Sequence, residues 1–157
     1  MVNSPSIQSG GSMMIFLNNT GTTAAGAKPA AFSTNAKLTI TLSDREISSK
    51  DSGDWSEFLG NKFSWIVTSD ALMSISGITG NTLSTKQVYT AFTAKTPVYV
   101  AFSTVAGTSP SWTIAATGNR LKFTGIALIT NMDLTATDNA EAVYTFSAKG
   151  TGTLSVT

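Results

Sequence analysis

A two-residue alternation of apolar and polar side chains recurs along this chain and restricts it to a β-rich fold. The alternation is clear over Lys37–Leu42 and again over Ala142–Lys149, and it restarts at Phe63, Trp65 and Val67. Such a period is typical of strands with one buried face. The pattern therefore predicts several half-buried strands.

The same alternation predicts which side chains form the core. Leu38, Ile40 and Leu42 share one face of their strand, and Phe63 and Trp65 share a face of the next. In the strand near the C-terminus, the buried face is predicted to carry a further set, namely Tyr144, Phe146 and Ala148. With 41% hydrophobic and 12% charged residues, the chain has enough apolar content to fold rather than stay disordered.

One helix interrupts the strands. Ser84 and Gln87 match the capping box, in which each side chain satisfies a backbone donor of the other residue. Apolar residues then recur at helical spacing from Val88, and Pro97 prevents a continuation. The spacing predicts a helix over about Thr85–Ala94.

The remaining apolar stretches predict further strands. At Thr124-Gly125 the apolar phase slips by one residue, which favours a β-bulge. A hairpin loop is expected at 137–140. The expected strands are Met13–Leu17, Pro97–Phe102, Ser111–Ala115 and a long one within Arg120–Thr135. The fold class is therefore predicted to be mainly β, an antiparallel β-sandwich or barrel with one short flanking α-helix.

The length of 157 residues fits one domain, 1–157. Residues 1–12 are polar and rich in Gly and Ser, and we expect a flexible N-terminal arm. The stretch 18–35 is expected to be a loop. A long charged inter-strand loop is predicted over 43–61, since much of the chain's charge is concentrated there. Residues 150–157 are expected to form a Gly-rich C-terminal tail.

The composition excludes several kinds of chemistry. The chain has no Cys and no His, which excludes thiolate nucleophiles, imidazole catalysis and the metal sites built from these residues. A net charge of +1 is not typical of proteins that bind nucleic acid tightly. The apolar run at 13–17 is too short for a membrane segment or a signal-peptide core, so synthesis in the cytoplasm is expected. No cofactor or metal site and no catalytic residue is predicted.

Two weak motifs have simpler interpretations. Asp51, Asp54 and Glu57 form a carboxylate cluster of the kind that glycosidases or calcium sites use, but a solvated loop is favoured over both. The Gly150-Thr151-Gly152 segment begins like a dinucleotide fingerprint, but no helix follows it. Neither motif supports an enzyme.

Several segments resemble, in order and spacing, the major tail tube proteins of long flexible-tailed bacteriophages (siphoviruses). The charged loop has the Ser-Lys-Asp-Ser-Gly-x-Trp pattern of that family, and the helix is followed by its Thr-Pro-Val strand start. The resemblance runs from about Lys37 to the C-terminus and is carried by Ser49–Leu59, Phe63–Leu72, Lys95–Val98, Gly125–Leu134 and Ala142–Gly152.

The resemblance implies a virion structural protein with no enzymatic activity. Members of this family form six-membered rings that stack into a hollow tail tube, through which double-stranded DNA passes during ejection. Expected partners are further copies of the chain, a tape measure protein, a tail terminator and tail-tip proteins. Assembly would occur in the cytoplasm of the bacterial host.

The family's loop after the second strand contacts subunits of the neighbouring ring. On the matching positions here, the resemblance implies an interface formed by Ser49, Lys50, Asp51, Gly53, Asp54, Trp55 and Phe58. Trp55 and Phe58 stand among charges, where exposed aromatic residues often mark a protein contact.

Three alternatives remain open. The chain is also similar to tube proteins of contractile tails and of secretion or injection systems. A monomeric carbohydrate-binding or adhesin β-sandwich would use exposed aromatic side chains as a glycan platform. An enzyme that relies on carboxylates alone is the third.

Overall fold

The computed structural model describes residues 10–76, 81–109, 111–115 and 120–157. Of the predicted N-terminal arm, residues 1–9 lie outside this part, and Gly10–Ser12 forms a 3-10 helix directly before the first strand. The described elements are β1 (Met13–Asn18), β2 (Lys28–Pro29), β3 (Ser33–Glu46), β4 (Phe58–Leu72), α1 (Thr85–Ala94), β5 (Val98–Ala106), β6 (Thr113–Ile114), β7 (Lys122–Thr135), β8 (Val143–Gly150) and β9 (Ser155–Val156).

The strands form one antiparallel sheet in the order β2-β1-β5-β7-β8-β4-β3, with β6 paired to β5 and β9 to β7. The sheet curls, because β1 and β3 contact each other although they lie near opposite ends of this order. A cavity of about 340 Å³ lies between them, lined on one side by Gly10, Gly11, Met13 and Met14 and on the other by residues 33–36. The architecture is thus an incompletely closed antiparallel barrel, as the alternation predicted.

The core fills the inside of this curled sheet. Its largest fully buried side chains include Tyr144, Phe146 and Leu17, and α1 packs Val88 and Ala91 against the same cluster. The predicted burial of Tyr144, Phe146 and Ala148 is confirmed.

The helix prediction is confirmed at both ends. The backbone N–H of Gln87 donates to Oγ of Ser84 over 3.3 Å, and the backbone N–H of Ser84 donates to Oε1 of Gln87 over 2.9 Å. At the C-terminus, Lys95 takes the left-handed conformation, and its N–H donates to the carbonyl of Phe92. The helix ends there because a left-handed residue cannot continue it.

The expected boundaries of the charged loop were wrong. β3 and β4 pair as far as Glu46↔Phe58, so the connection spans only residues 47–57 instead of 43–61. Main-chain hydrogen bonds form a ladder whatever the side chains are. The end of β3 consists of charged and polar residues and the start of β4 contains some as well, so the hydropathy pattern did not predict how far the strands extend.

The predicted burial in this region was also wrong in part. Leu38 is half-buried, but Ile40, Leu42 and Phe63 are exposed, whereas Trp65 is 3% exposed as predicted. The alternation correctly predicted a shared face, since Ile40 pairs with Trp65 and Leu42 with Phe63. No part of the described chain covers that face beyond Trp65.

The expected bulge at Thr124-Gly125 was wrong as well. β5 and β7 pair without interruption from Phe102↔Phe123 to Val98↔Ala127, and the register of β7 shifts instead against β8, between Ile129 and Asn131. A Cβ atom on Gly125 would lie 2.5 Å from Cζ2 of Trp65. The alternation of apolar residues is therefore interrupted at Gly125 because this residue faces inward and has no side chain, which leaves room for the Trp65 indole.

Two segments that were expected to lack regular structure, 18–35 and 150–157, each contain a short strand. The expected tail 150–157 folds back, because Ser155–Val156 forms β9 against β7 and the indole Nε1–H of Trp65 donates to the Gly152 carbonyl over 2.9 Å. Within the expected loop 18–35, β2 pairs with β1 and β3 already starts. Asn18 stabilises the turn between β1 and β2, since its Nδ2 donates to the carbonyls of Thr23 and Ala25.

Candidate assembly surface

β3 and β4 extend well beyond the rest of the sheet. β8 pairs only with Ile66–Leu72 of β4, so the first part of β4 has β3 as its one neighbour within the described sheet. From Thr39 to Ser64 every residue is exposed except Ser52, which is half-buried. We call residues 39–64 the projecting hairpin. Two strands alone are marginally stable in water and are normally stabilised by a further packing surface.

The projecting hairpin carries an unusual number of exposed apolar side chains. Trp55 is 83% exposed and Phe63 is 76% exposed. Single exposed apolar residues are common on protein surfaces, but a contiguous group marks an interaction site. The group comprises Ile40, Leu42, Ile47, Trp55, Phe58, Leu59 and Phe63.

Several of these side chains share one face of the projecting hairpin. Cross-strand partners lie on the same face of an antiparallel pair, and Ile40 pairs with the buried Trp65 while Leu42 pairs with Phe63. A Cβ on Gly60 would lie 3.3 Å from Cδ2 of Leu42, so the face continues past the register shift that follows Leu42. The exposed stripe is therefore the core-facing side of the sheet, continued beyond the core.

The turn of the projecting hairpin has its own hydrogen bonds. The N–H of Ile47 donates to the Glu57 carbonyl over 2.9 Å, and the N–H of Glu57 donates to Oγ of Ser48 over 2.8 Å. The N–H of Ser49 donates to Oγ of Ser52 over 2.9 Å. These bonds are local, so the turn presents its outer side chains without support from the rest of the protein.

The residues predicted to form an interface lie together at this turn. Six of them belong to the connection between the strands, and Phe58 is the first residue of β4; all seven are exposed. Gly53 has a φ of +64°, a conformation that a residue with a side chain rarely adopts. The turn residues are Ser49, Lys50, Asp51, Gly53, Asp54 and Trp55.

The strands of the projecting hairpin also contribute to this surface, which the sequence pattern did not predict. Ile40, Leu42 and Phe63 extend the apolar surface from the turn towards the body of the protein, whereas Leu59 lies on the opposite face of the hairpin. Their alternation was visible, but an alternating strand has the same pattern whether its own chain or another molecule covers it. The charged residues that follow Leu42 were a useful signal, because they indicate that this part of the strand is not buried in the monomer.

The base of the projecting hairpin forms one wall of an apolar groove of about 510 Å³. The other wall is the C-terminal segment that ends in β9, and the indole of Trp65 lies between them. A Cβ on Gly150 would overlap this indole, so a glycine is required there. The groove is lined by Ile40, Phe63, Ser64, Trp65, Gly150, Gly152, Thr153, Leu154 and Val156.

The charge of the projecting hairpin differs in sign from that of the rest of the chain. It carries five carboxylates and three basic side chains, a formal net charge of −2. Because the whole chain has +1, the remaining residues carry +3. The hairpin is thus the acidic part of the molecule, and its exposed charges are screened by added salt.

Two titratable groups in the body of the protein have perturbed pKa values. Hydrogen bonds from Oγ1 of Thr145, over 2.7 Å, and from Nδ2 of Asn35, over 3.0 Å, lower the pKa of the Asp70 carboxyl. Burial raises the pKa of Tyr144 to about 12. Asp70 thus connects β3, β4 and β8 on the outer side of the sheet and stabilises the body of the protein.

Neither a metal site nor a membrane helix is apparent in the described part of the chain. Over residues 10–76, 81–109, 111–115 and 120–157, no three acidic side chains converge as metal ligands would. The same residues include no helix with the length and hydropathy needed to cross a bilayer. The exposed apolar surface is therefore the feature of this structure that most calls for a function.

No protein-family model and no curated protein sequence matches this chain significantly. Solved structures do match. The tail of an empty gene transfer agent particle, refined with helical C6 symmetry, aligns with 96% of this chain and 99% of its own at a TM-score of 0.70 and 18% identity. The SPP1 tail tube aligns with 96% of this chain and 78% of its own at a TM-score of 0.68 and 8% identity.

A structure of the anti-feeding prophage baseplate also matches. It aligns with 99% of this chain and 97% of its own at a TM-score of 0.61 and 11% identity. At such low identities the agreement concerns the fold, and it extends over nearly the whole chain. The fold of this chain is the fold found in viral and gene transfer agent tail tubes.

Proposed function

We propose that this chain is the tube protein of a phage-like tail. Copies assemble into six-membered rings, and the rings stack into a hollow tube through which a genome passes during ejection. The likeness in fold to assembled tails with C6 symmetry supports this assignment. The observation that carries it is the projecting hairpin, whose core-facing stripe remains exposed in a single molecule.

Assembly gives that exposed stripe a partner. A second copy that covers Ile40, Leu42 and Phe63 removes their apolar surface from water, which contributes about 25 cal/mol per Å² buried. A ring closes by repeating one contact between unlike faces, and a stack of rings repeats a second contact without closing. A molecule with a long protrusion on one end is suited to the second kind of contact.

We assign the contact between rings to the turn of the projecting hairpin. Trp55 is the principal anchor, because a tryptophan that passes from mostly exposed to buried contributes more than most residues. Lys50, Asp51 and Asp54 are charged residues of the same turn, and we assign them charge pairs with the neighbouring ring. Ser49, Gly53 and Phe58 complete this interface.

The proposed role requires no catalysis. A near-neutral chain fits a conduit, since a strongly basic wall would bind the phosphates of passing DNA and retain it. Further partners of such a tube are a tape measure protein inside it, a terminator at one end and tip proteins at the other. The assembled protein would reside in the tail of the virion, after assembly in the host cytoplasm.

A tube from a contractile tail or an injection system is the second candidate. The match to the anti-feeding prophage baseplate favours keeping it. The two candidates differ in whether a sheath surrounds the tube, so a sheath protein that binds the outer surface would distinguish them. A carbohydrate-binding sandwich is less suitable, because the exposed apolar side chains continue beyond the groove along a protruding two-stranded ribbon as far as its turn.

Negative-stain electron microscopy of the concentrated protein, with its mass in solution, tests the proposal. Rings or hollow tubes of uniform diameter are expected, either spontaneously or after addition of tail-tip components as an initiator. Protein that stays monomeric at millimolar concentration both with and without the initiator would contradict the proposal. A dilution series of the same sample gives the critical concentration for tube formation.

A further inference from the structure

A second exposed apolar surface lies at the end of the molecule opposite the turn of the projecting hairpin. β3 starts at Ser33 and β4 ends at Leu72, and the N–H of Leu72 donates to the Phe32 carbonyl over 3.2 Å. β4 has 15 residues, so roughly 50 Å of strand separates this end from the hairpin turn. Phe32, Met73 and Ile75 are exposed there, Ile75 at 98%.

Beside Phe32 is a cavity of about 230 Å³. Phe32 has a φ of +55°, a conformation that is unfavourable for a bulky side chain. Its backbone is held there by the Leu72 hydrogen bond and by the neighbouring N–H of Ala31, which donates to the Leu83 carbonyl over 2.8 Å. The ring is consequently kept half exposed at the rim. The cavity is lined by Met14, Ala30, Phe32, Ser33, Thr82, Ser109 and Trp112.

We propose that this cavity, the Phe32 cavity, receives the hairpin turn of a second copy of this chain, and that Trp55 is the side chain that enters it. The inference rests on the proposed tube function and specifies its acceptor site. A contact that joins two opposite ends of identical molecules can be repeated indefinitely, which is what a stack of rings requires. The projecting hairpin and the Phe32 cavity stand at such opposite ends.

The chemistry of the two surfaces is complementary. An indole that enters the cavity meets the aromatic rings of Phe32 and Trp112, and offset or edge-to-face aromatic contacts are favourable beyond the area they bury. A buried indole N–H needs an acceptor, and Ser109 contributes a hydroxyl to the lining.

The substitution Phe32→Asn separates this interface role from a structural role. Asn adopts positive φ more readily than Phe, so the melting temperature of the monomer is expected to stay the same or rise. Removal of the ring is expected to raise the critical concentration for tube formation at least tenfold. Tyr89→Asn, at an exposed aromatic residue of α1, is the matched control and should assemble like the wild type.

Cross-linking supplies an independent test, because the chain has no cysteine of its own. Ser56→Cys lies beside Trp55, and Thr108→Cys lies at an exposed position one residue before the cavity-lining Ser109. In assembled tubes, a short thiol-reactive cross-linker is expected to join the two positions between copies and give a ladder of covalent oligomers. The control pair Ser56→Cys with Thr93→Cys, on the outer side of α1, should assemble without a ladder.

The outcomes distinguish the two levels of the proposal. Phe32→Asn tubes at the wild-type concentration, or assembled tubes without the 56–108 ladder, would overturn the acceptor site and leave the tube function intact. Wild-type protein that forms neither rings nor tubes, with or without an initiator, would overturn the tube function and this inference with it.

Discussion

The two halves of β4 have the same alternating pattern and opposite environments. From Trp65 to Leu72 every second side chain is buried, whereas from Phe58 to Ser64 every side chain is exposed. Trp65 and Phe63 are two residues apart on the same face, yet one is 3% exposed and the other 76%. The difference lies in the neighbours, because β8 and the C-terminal segment cover only the second half of the strand.

This contrast shows how one strand serves two purposes. Its second half belongs to a core that holds the monomer together, and its first half presents the same kind of apolar face to solvent. Burial stabilises an apolar side chain only where other atoms exclude water. The first half of β4 therefore contributes little to the monomer and is available to stabilise an assembly.

The largest expected effect is a difference between two aromatic truncations on this strand. Trp65→Ala removes an indole that fills the space above Gly125 and Gly150, and should lower the free energy of unfolding of the monomer by about 3–5 kcal/mol. Phe63→Ala should change it by less than about 0.5 kcal/mol, since the ring is already in water. Urea denaturation measures both free energies of unfolding when it is followed by the circular dichroism of the backbone, which does not rely on the tryptophan that one variant lacks.

Phe63→Ala is in turn expected to impair tube formation under conditions in which its monomer is fully folded. Equal losses of monomer stability for Phe63→Ala and Trp65→Ala would show that the first half of β4 is covered in the monomer, and the contrast between the two halves would then fail.

The second prediction concerns the turn of the projecting hairpin. Trp55→Ala should leave the monomer's melting temperature unchanged and raise the critical concentration for tube formation roughly 30-fold, which corresponds to the ~2 kcal/mol of an interface anchor. Tyr89→Ala, which truncates an exposed aromatic ring on α1, is the control. Sedimentation of tubes from a dilution series gives the critical concentration, and equal values for the two variants would reject Trp55 as the anchor.

The third prediction tests how tightly the covered half is packed. Gly150→Ala places a methyl group where the Trp65 indole lies, and should cost about 1–3 kcal/mol of monomer stability because the ring must shift. Gly10→Ala is the control, as nothing lies within 4 Å of its Cβ position. If thermal denaturation shows the two variants equally stable, the indole is not fixed by this packing.

The smallest expected effect is a pH dependence of the body. Hydrogen bonds lower the pKa of Asp70 in the folded protein, so its contribution is present above its usual value of 3.8 and is lost as the pH falls through the folded-state pKa. Because the Asp70 side chain is only half-buried, the effect is reduced by solvent screening. Urea midpoints between pH 2 and 6 should fall more steeply in the wild type than in Asp70→Asn.

Parallel curves for the wild type and Asp70→Asn would mean that the contacts with Thr145 and Asn35 do not stabilise the charged carboxylate. The titration reports on the body of the protein alone, because the hydrogen bonds of Asp70 involve residues outside the projecting hairpin.

Much of the fold was predictable where local and tertiary preferences agree. The capping box at Ser84 and Gln87 determined the start of α1, because its hydrogen bonds involve residues only three positions apart. The alternation in β8 predicted the burial of Tyr144 and Phe146, since this strand is paired on both sides. The hairpin loop after β7 was also expected, and the N–H of Ala140 donates to the Thr137 carbonyl over 3.2 Å.

Predictions failed where the outcome depends on residues distant in the chain. That Gly125 faces inward could not be predicted from the sequence, because it depends on Trp65, which occupies the space beside it. Of the candidate assembly surface, the exposed turn around Trp55 was found from its charged surroundings, while the Phe32 cavity combines segments far apart in sequence. No local pattern brings Phe32 and Trp112 together.

The sequence by itself determined the β-rich class, the helix and the faces on which apolar side chains lie, because these follow from backbone periods of two and 3.6 residues. Only the tertiary structure decided which of those faces are covered. Leu42 and Phe63 satisfy the same rule as Val67 and Tyr144, but burial is a property of the atoms that surround a side chain. Within the described part of this chain no other segment covers one half of β4, and that half is the proposed site of assembly.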